Sequence, residues 1–272
     1  MSSQSPFSNA VARQINRSIG QAIHQYKMIS HNDKIAVAIS GGYDSLTLLW
    51  FLVKRLPRIP IHYKLLCIYV DPGFDGGFST LLQQYVQSMD LDIRIVYTDI
   101  GHIAHDIENR ENPCFICSRL RRKHIFDIAE QFACNKVALG HNKDDLIETL
   151  MINMYYAGEI SCMKPMQPIF NGKLTLIRPL AYTDSELIRQ FVKKFQLPHF
   201  INSCPSARNS RRSDIREMLT AFYRKNEKIK GNLFRAMHNV RSDYLLSQKD
   251  SMHERCSKRA RCPKHTNQQG RY

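Results

Sequence analysis

A run of small and polar residues, Ser40-Gly-Gly-Tyr-Asp-Ser45, carries the strongest chemical signal in the chain. It follows an apolar, β-branched segment at residues 35–39, which predicts a buried parallel strand. An apolar helix is predicted next, opened by Asp44 or Ser45, since both residue types favour a helix start. Glycines allow positive φ angles, and a helix N-terminus presents free N–H groups and positive dipole charge. The pattern therefore predicts a phosphate-binding turn.

Three cysteines form a second chemical signal. Cys114 and Cys117 are separated by two residues, a spacing at which both thiolates can bind one metal centre. The pair alone is ambiguous among a redox dithiol, half a zinc site and part of an iron–sulfur site. With Cys204, three thiolates would leave one position of a tetrahedral metal centre or one iron of a [4Fe–4S] cluster open to substrate, and Cys162, in a predicted loop, is a weaker candidate for a fourth ligand. Cys67 and Cys134 lie within or beside apolar elements and are predicted to be core residues.

Alternating strands and helices must position these residues. Strands are predicted at residues 35–39, 65–70, 93–97, 137–139 and 174–177, and helices at 8–28, 79–89, 118–132, 208–223 and 233–246, with further helices after residues 44, 145 and 184. This alternation predicts an α/β fold with a doubly wound parallel sheet. Ligands of such sheets bind beyond the carboxyl ends of the strands, where both the Gly-Gly loop and Asp144-Asp145 are predicted to lie.

The charge is unevenly distributed along the 272 residues. The formal net charge is +15, of which residues 201–272 carry +11 and residues 1–200 only +4. A basic final quarter predicts a polyanionic partner, with nucleic acid as the first candidate. We expect no membrane span, no secretory signal, and a cytoplasmic location in which the cysteines stay reduced.

Four segments are predicted from these patterns. Residues 1–33 form an N-terminal helical segment, and residues 34–200 form the nucleotide-binding domain that carries the Cys-x-x-Cys pair. Residues 201–248 form a C-terminal helical region with the third cysteine. Residues 249–272 form a basic tail without periodicity, which we expect to be mobile.

Several motifs together resemble one family. They are the loop from Ser40 to Ser45, the string Cys114-Phe-Ile-Cys-Ser-Arg-Leu-Arg-Arg122, the segment Ala138-Leu-Gly-His-Asn-Lys-Asp-Asp145, and Cys204. The chain resembles the tRNA 2-thiocytidine synthetases of the ATP pyrophosphatase (PP-loop) superfamily. The cysteine–arginine string discriminates most, because the related lysidine synthetases share the ATP loop but lack these cysteines.

The resemblance implies a fold of the adenine nucleotide alpha hydrolase type and an ATP-dependent tRNA thiolation at C2 of cytidine 32. It implies a [4Fe–4S] cluster, Mg²⁺, a sulfur donor such as a cysteine desulfurase system, and a homodimer. The implied catalytic residues are Asp44, Cys114, Cys117 and Cys204, of which the cysteines also hold the cluster. The implied ATP-binding residues are Ser40, Gly41, Gly42, Tyr43, Asp44, Ser45, Gly140 and Asp145. The expected RNA-binding residues are Arg119, Arg121, Arg122, Arg208, Arg211 and Arg212.

One departure and several alternatives accompany this interpretation. Tyr43 stands where the family commonly has a lysine, so the loop lacks one positive charge that could contact a phosphate. Alternative functions are thiolation of another tRNA base, of the 2-thiouridine type, and a cytidine modification like that of the lysidine synthetases. A redox dithiol would leave the ATP loop and Cys204 unexplained. A non-catalytic, metal-stabilised RNA-binding module would leave the ATP loop unexplained.

Overall fold

A six-stranded sheet lies at the centre of the described chain. The structure, a computed structural model, describes residues 7–106, 109, 111–201, 203–206 and 211–246. The strands are β1 (Asp33–Ala38), β2 (Tyr63–Asp71), β3 (Ile93–Tyr97), β4 (Lys136–Ala138), β5 (Met166–Ile169) and β6 (Leu174–Ile177). Their order is β3-β2-β1-β4-β6-β5, and all neighbours are parallel except the antiparallel pair β5 and β6.

Helices connect the strands and cover both faces of the sheet. They are α1 (Ala10–Gln25), α2 (Tyr43–Arg55), α3 (Ser79–Gln87), α4 (Ile100–Ala104), α5 (Pro113–Gln131), α6 (Lys143–Ile152), α7 (Ser185–Phe195), α8 (Arg211–Lys225) and α9 (Lys228–Ala236). A π-helical turn, Asn153–Ala157, continues α6. The prediction of an α/β fold with a doubly wound, mostly parallel sheet is confirmed.

The core lies on both faces of β1, as expected for a central parallel strand. Ile35 and Val37 pack into the larger cluster, which contains residues of α1, α2 and α7. Ala36 points to the opposite face, into the cluster that contains Ala129 of α5. Cys67 is fully buried in the first cluster and Cys134 lies buried in the second, so their prediction as core residues is confirmed.

Two helix starts differ from the prediction, and both changes affect the site. Gly42 is the N-cap of α2, so Asp44 and Ser45 lie within the first turn and do not cap it. Asn112 caps α5, accepting hydrogen bonds from the N–H groups of Cys114 and Phe115. Both cysteines of the Cys-x-x-Cys pair are therefore helical, because the preceding Asn-Pro dipeptide starts the helix earlier than residue 118.

Two further elements also differ from the prediction. Strand β5 was missed, because four residues that include Pro168 give a weak strand signal. The predicted helix at 233–246 is wrong, since α9 ends at Ala236 and residues 242–244 form a separate 3₁₀ turn.

The chain divides into two compact units, the first ending at Ile229 and the second beginning at Lys230. The four predicted segments stay a prediction, and the tail at 249–272 lies outside the described residues. Among the described helices, none is long and apolar enough to cross a membrane.

Candidate functional site

The turn between β1 and α2 requires glycine at position 41. Gly41 has a φ of +82°, in the left-handed region that most side chains avoid. A Cβ atom there would lie 2.7 Å from two ring atoms of Phe78 and 2.9 Å from the Cβ of Phe200. The turn is therefore tightly enclosed on one side.

Serine hydroxyls hold the turn against the start of α2. The Ser45 hydroxyl donates to the carbonyl of Gly42 at 2.9 Å and accepts from the N–H of Ser40 at 3.2 Å. The Ser40 hydroxyl also lies 3.2 Å from that of Ser45. No side chain caps α2. Its N-terminus, at the carboxyl end of β1, can therefore offer N–H groups and partial positive charge to an anion.

Asp44 lies beside this turn and beneath the loop that follows β4. The pKa of Asp44 is raised to about 6, chiefly by burial and further by the negative charges of Asp145 and Asp144. A hydrogen bond from Asn142 Nδ2, 3.0 Å from Asp44 Oδ1, lowers the pKa and so opposes these effects. A bound cation would stabilise the charged form of a carboxyl group in such surroundings, which is consistent with a Mg²⁺ contact.

The loop after β4 contributes Gly140 and the start of α6. A Cβ atom on Gly140 would lie 2.9 Å from the backbone nitrogen of Ser45, so glycine permits the close approach of this loop to α2. Asp145 forms a capping box with Asn142, accepting from its N–H at 3.0 Å. Asp144 accepts from the N–H of Ser185 at the start of α7. Both aspartates therefore hold helix ends, and the predicted ATP contact of Asp145 stays a prediction.

Sequence reasoning missed a buried pair at the same sheet edge. Arg178 directly follows β6 and donates from Nε to Nδ1 of His141 at 3.3 Å. Burial lowers the pKa of His141 to about 4 and that of Arg178 to about 10. Their positions in the sequence could have indicated this pair, because each residue lies just after the carboxyl end of a strand.

Helix α8 packs against α6 through ion pairs. Arg216 forms two hydrogen bonds, of 2.8 and 3.1 Å, with the buried carboxylate of Glu148. Arg212 lies 3.4 Å from Asp145 and 3.7 Å from Glu148, and Arg211 lies over the ring of Tyr156. Arg211 and Arg212, both predicted to bind RNA, therefore make contacts with other residues of this protein. Arg208 lies outside the described residues.

The thiols of the three predicted ligand cysteines interact electrostatically. Burial raises the pKa of Cys114, and the nearby thiols of Cys204 and Cys117 raise it further, while Arg121 lowers it. Cys114 is exposed, Cys117 is buried and Cys204 is half-buried. The thiol of Cys204 therefore interacts electrostatically with that of Cys114, which lies 90 residues earlier in the chain.

The donor set fits a cluster better than a single ion. Within the described ranges, no group of three His, Cys, Asp or Glu side chains is arranged to hold a metal ion. A cluster separates its thiolates more widely, because each thiolate binds a different iron atom. Beside them, the Nε of Arg121 is buried and, among the described atoms, has no hydrogen-bond partner. Such a donor suits an anionic cluster, whose sulfides accept hydrogen bonds.

A short segment connects the turn to the third cysteine. We call residues 199–206, of which 202 is not described, the strap. The ring of His199 stacks on Tyr43 at 3.9 Å between centroids, and the N–H of Phe200 donates to the carbonyl of Gly41. At the other end, Ser206 donates to Nε2 of His105, whose Nδ1 donates to the carbonyl of Gly101. The strap therefore holds Cys204 between the phosphate-binding turn and α4.

Several known proteins are similar in sequence to this chain. A family model described as a PP-loop domain matches residues 11–222. A tRNA-cytidine(32) 2-sulfurtransferase from Geotalea daltonii is 35% identical over 245 residues, which cover 89% of this chain and 97% of that protein. Another from Aeromonas salmonicida is 35% identical over 244 residues, covering 89% and 80%.

A solved structure shares the fold. It is the U34-tRNA thiolase NcsA from Methanococcus maripaludis with its [4Fe-4S] cluster, and its TM-score with this chain is 0.70. The two are 22% identical, and the match covers 84% of this chain and 78% of that chain.

Proposed function

This chain belongs to the tRNA-cytidine(32) 2-sulfurtransferase family of PP-loop enzymes, and from that premise we propose that it replaces the C2 oxygen of a tRNA cytidine with sulfur. One observation supports the proposal most. The strap contacts Gly41 of the phosphate-binding turn, and the Cys204 thiol that it carries raises the pKa of Cys114. Activation by ATP and delivery of sulfur can therefore occur on one nucleotide held between them.

The turn would hold the phosphates of ATP. The N–H groups at the start of α2 and the hydroxyls of Ser40 and Ser45 would bind the pyrophosphate as its negative charge grows. Asp44 would bind Mg²⁺, which offsets the charge on the phosphates. Because Tyr43 stacks on His199, it closes the turn and supplies no phosphate contact of the kind a lysine would make.

The reaction has two balanced steps. The C2 oxygen of the cytidine attacks the α-phosphorus of ATP, and the bond to the β-phosphate oxygen breaks, releasing pyrophosphate. A hydrosulfide ion then forms a bond to C2, the C2–O bond breaks with loss of AMP, and the proton on the sulfur passes to solvent to leave the C2 thiocarbonyl. Adenylation makes the oxygen a good leaving group, and positioning the sulfur beside C2 contributes much of the rate.

Cys114, Cys117 and Cys204 would hold a [4Fe–4S] cluster, with Arg121 beside it. When bound, the cluster supplies an iron without a protein ligand at which sulfur can be presented. A sulfur donor such as a cysteine desulfurase system, a homodimeric assembly and a cytoplasmic location belong to the same proposal. The exposed Arg119 and Arg122 on α5 would contact tRNA phosphates.

An ATP-cleavage assay tests the first step. Anaerobically purified protein with ATP, Mg²⁺ and tRNA should release AMP and pyrophosphate. Asp44→Ala should reduce that release at least about 100-fold, since it removes a contact to the charge that grows in the transition state. Asp92→Ala, an exposed carboxylate before β3, is the matched control and should retain activity. Release of ADP and phosphate would contradict the proposed cleavage.

Nucleoside analysis tests the substrate. Transfer RNA from cells that lack this protein should contain no 2-thiocytidine and unchanged levels of other thiolated bases. Loss of a thiouridine in its place would contradict the choice of cytidine while leaving the ATP chemistry intact.

A further inference from the structure

A stripe of aromatic and basic side chains runs along the exposed face of α5, and Phe170 joins it from the β5–β6 turn. We call this set the α5 stripe: Phe115, Arg119, Arg122, Lys123, Phe126 and Phe170. We propose that the α5 stripe binds a single-stranded segment of RNA next to the modified nucleotide, with bases stacked on its rings and phosphates on its cations. The inference rests on the proposed function, since it describes how the same substrate extends beyond the reacting base.

The helix members of the α5 stripe share one face. They occur at intervals of four, three, one and three residues, which brings them together along a helix. The Phe115 ring is 53% exposed although it lies between two ligand cysteines, and the Arg119 guanidinium lies 5.5 Å from its centroid. Aromatic rings interleaved with cations are the usual means of binding single strands without strict sequence preference.

Five of the six members of the stripe, all except Phe115, line a cleft of about 240 Å³. Its walls include Arg119, Arg122 and Lys123, against one carboxylate, Asp127. The rings of Phe126 and Phe170 meet edge to face at the cleft, 5.7 Å apart. Three cations beside two aromatic rings favour a ligand that carries both negative charge and flat bases.

The backbone of Phe170 is unusual for so large a residue. Phe170 has a φ of +51°, and Asn171 and Gly172 follow with +55° and +85°. A left-handed conformation costs free energy for a bulky residue, and residues strained in this way cluster at functional sites. The ring is nevertheless 58% exposed, so burial within this chain offsets little of that cost. An external partner that stacks on the ring would offset that cost.

The stripe is continuous with the catalytic edge. Phe115, the first member of the stripe, lies between Cys114 and Cys117, and the pKa of Arg178 is lowered by burial and also by the positive charge of Arg122. Arg178 follows β6 at the carboxyl edge of the sheet, and Cys114 and Cys117 begin α5. From Phe115 to Phe126 the helix rises about 16 Å, the length of a few nucleotides. RNA that leaves the active site can therefore follow α5 towards Phe170.

Binding of tRNA and of a short single-stranded RNA oligonucleotide, followed by fluorescence anisotropy, tests this proposal. Phe170→Asn removes the ring while keeping a residue that tolerates positive φ, so the fold should be retained with an unchanged thermal midpoint. Both affinities should fall about five- to 100-fold, the effect of losing one stacked base. Phe170→Tyr should bind like the original protein. Tyr97→Ala is the matched control, because that ring is 70% exposed on β3, the opposite edge strand.

The cations give a second, independent measurement. Arg119→Gln with Lys123→Gln should reduce the slope of log affinity against log salt by about 1.4, since roughly 0.7 counterions are released per phosphate of a single strand. Unchanged RNA binding by Phe170→Asn and an unchanged salt slope would overturn the α5 stripe proposal. If the protein forms no 2-thiocytidine but Phe170→Asn still weakens RNA binding, the stripe stands and the proposed function fails.

Discussion

At the scale of single residues, Asp44 is the position where stability and function oppose each other. Burial and two neighbouring aspartates raise its pKa to about 6, so the folded protein disfavours its negative charge. The function that we propose needs that charge to bind Mg²⁺. Carboxyl groups with perturbed pKa values are typical of functional sites.

Asp44→Asn should therefore stabilise the protein and inactivate it. A carboxyl group whose pKa is raised on folding favours the folded state when protonated, and that advantage is lost as the pH rises from about 4 through about 6. At pH 8 without ATP or Mg²⁺, the variant should gain about 1–3 kcal/mol in the free energy of unfolding, measured with urea. At pH 4 the two proteins should be similar. A loss of stability at pH 8 would contradict this account.

The three converging thiols give the second prediction at this scale. Replacing Cys114, Cys117 or Cys204 singly with Ala should abolish iron binding and the brown colour of anaerobically purified protein, since two thiolates hold a cluster poorly. Cys134→Ala and Cys162→Ala should keep the iron content and change the free energy of unfolding by about 1 kcal/mol. The iron and sulfide contents of each variant test this prediction. An intact cluster in Cys204→Ala would contradict the three-ligand proposal.

At the scale of elements, the strap connects the phosphate-binding turn with the third cysteine. Its Phe200 N–H binds the carbonyl of Gly41, its His199 ring stacks on Tyr43, and its Ser206 binds His105 on the far side. The phosphate-binding turn and the third cysteine are thus positioned by one short segment. A change in the shape of the turn should consequently affect Cys204 as well.

Gly41→Ala tests this connection against Gly76→Ala. Both glycines have positive φ, so both variants carry backbone strain of about 1 kcal/mol or more. Only at Gly41 does a Cβ collide, with Phe78 and Phe200, whereas nothing lies within 4 Å at Gly76. We expect Gly41→Ala to lose ATP cleavage and to alter the reactivity of Cys204 towards a thiol reagent. Equal effects of the two substitutions would show that strain alone is responsible.

At the scale of the whole molecule, charge determines the encounter with RNA. The net charge of +15 and the exposed cations of α5 favour binding dominated by phosphates, which position the RNA without reading its sequence. The function that we propose therefore also requires a pocket that receives one unstacked base and selects cytidine.

Affinity for tRNA should therefore fall steeply with salt. With about six phosphate contacts, the affinity should drop roughly 1,000-fold between 50 and 200 mM monovalent salt, as measured by filter binding. Binding of Mg²⁺–ATP involves a small ligand and should change less than about tenfold over the same range. A shallow slope for tRNA would indicate that stacking, and not charge, supplies most of the affinity.

Local patterns in the sequence determined the alternation of strands and helices, the Gly-Gly turn and the Cys-x-x-Cys pair, because these depend on neighbouring residues. Residue type and spacing sufficed for the fold class and for the core positions of Cys67 and Cys134. The same patterns misjudged where α2 and α5 begin, since caps depend on one or two residues.

The tertiary structure alone decided the contacts that join distant parts of the chain. Phe200 reaches Gly41 and Arg216 reaches Glu148, although neither pair is marked by local spacing. Such contacts depend on the order of strands in the sheet and on how the loops close, and both are collective properties of the folded chain. For that reason the sequence indicated which chemistry to expect, and only the folded molecule showed how the strap brings its parts together.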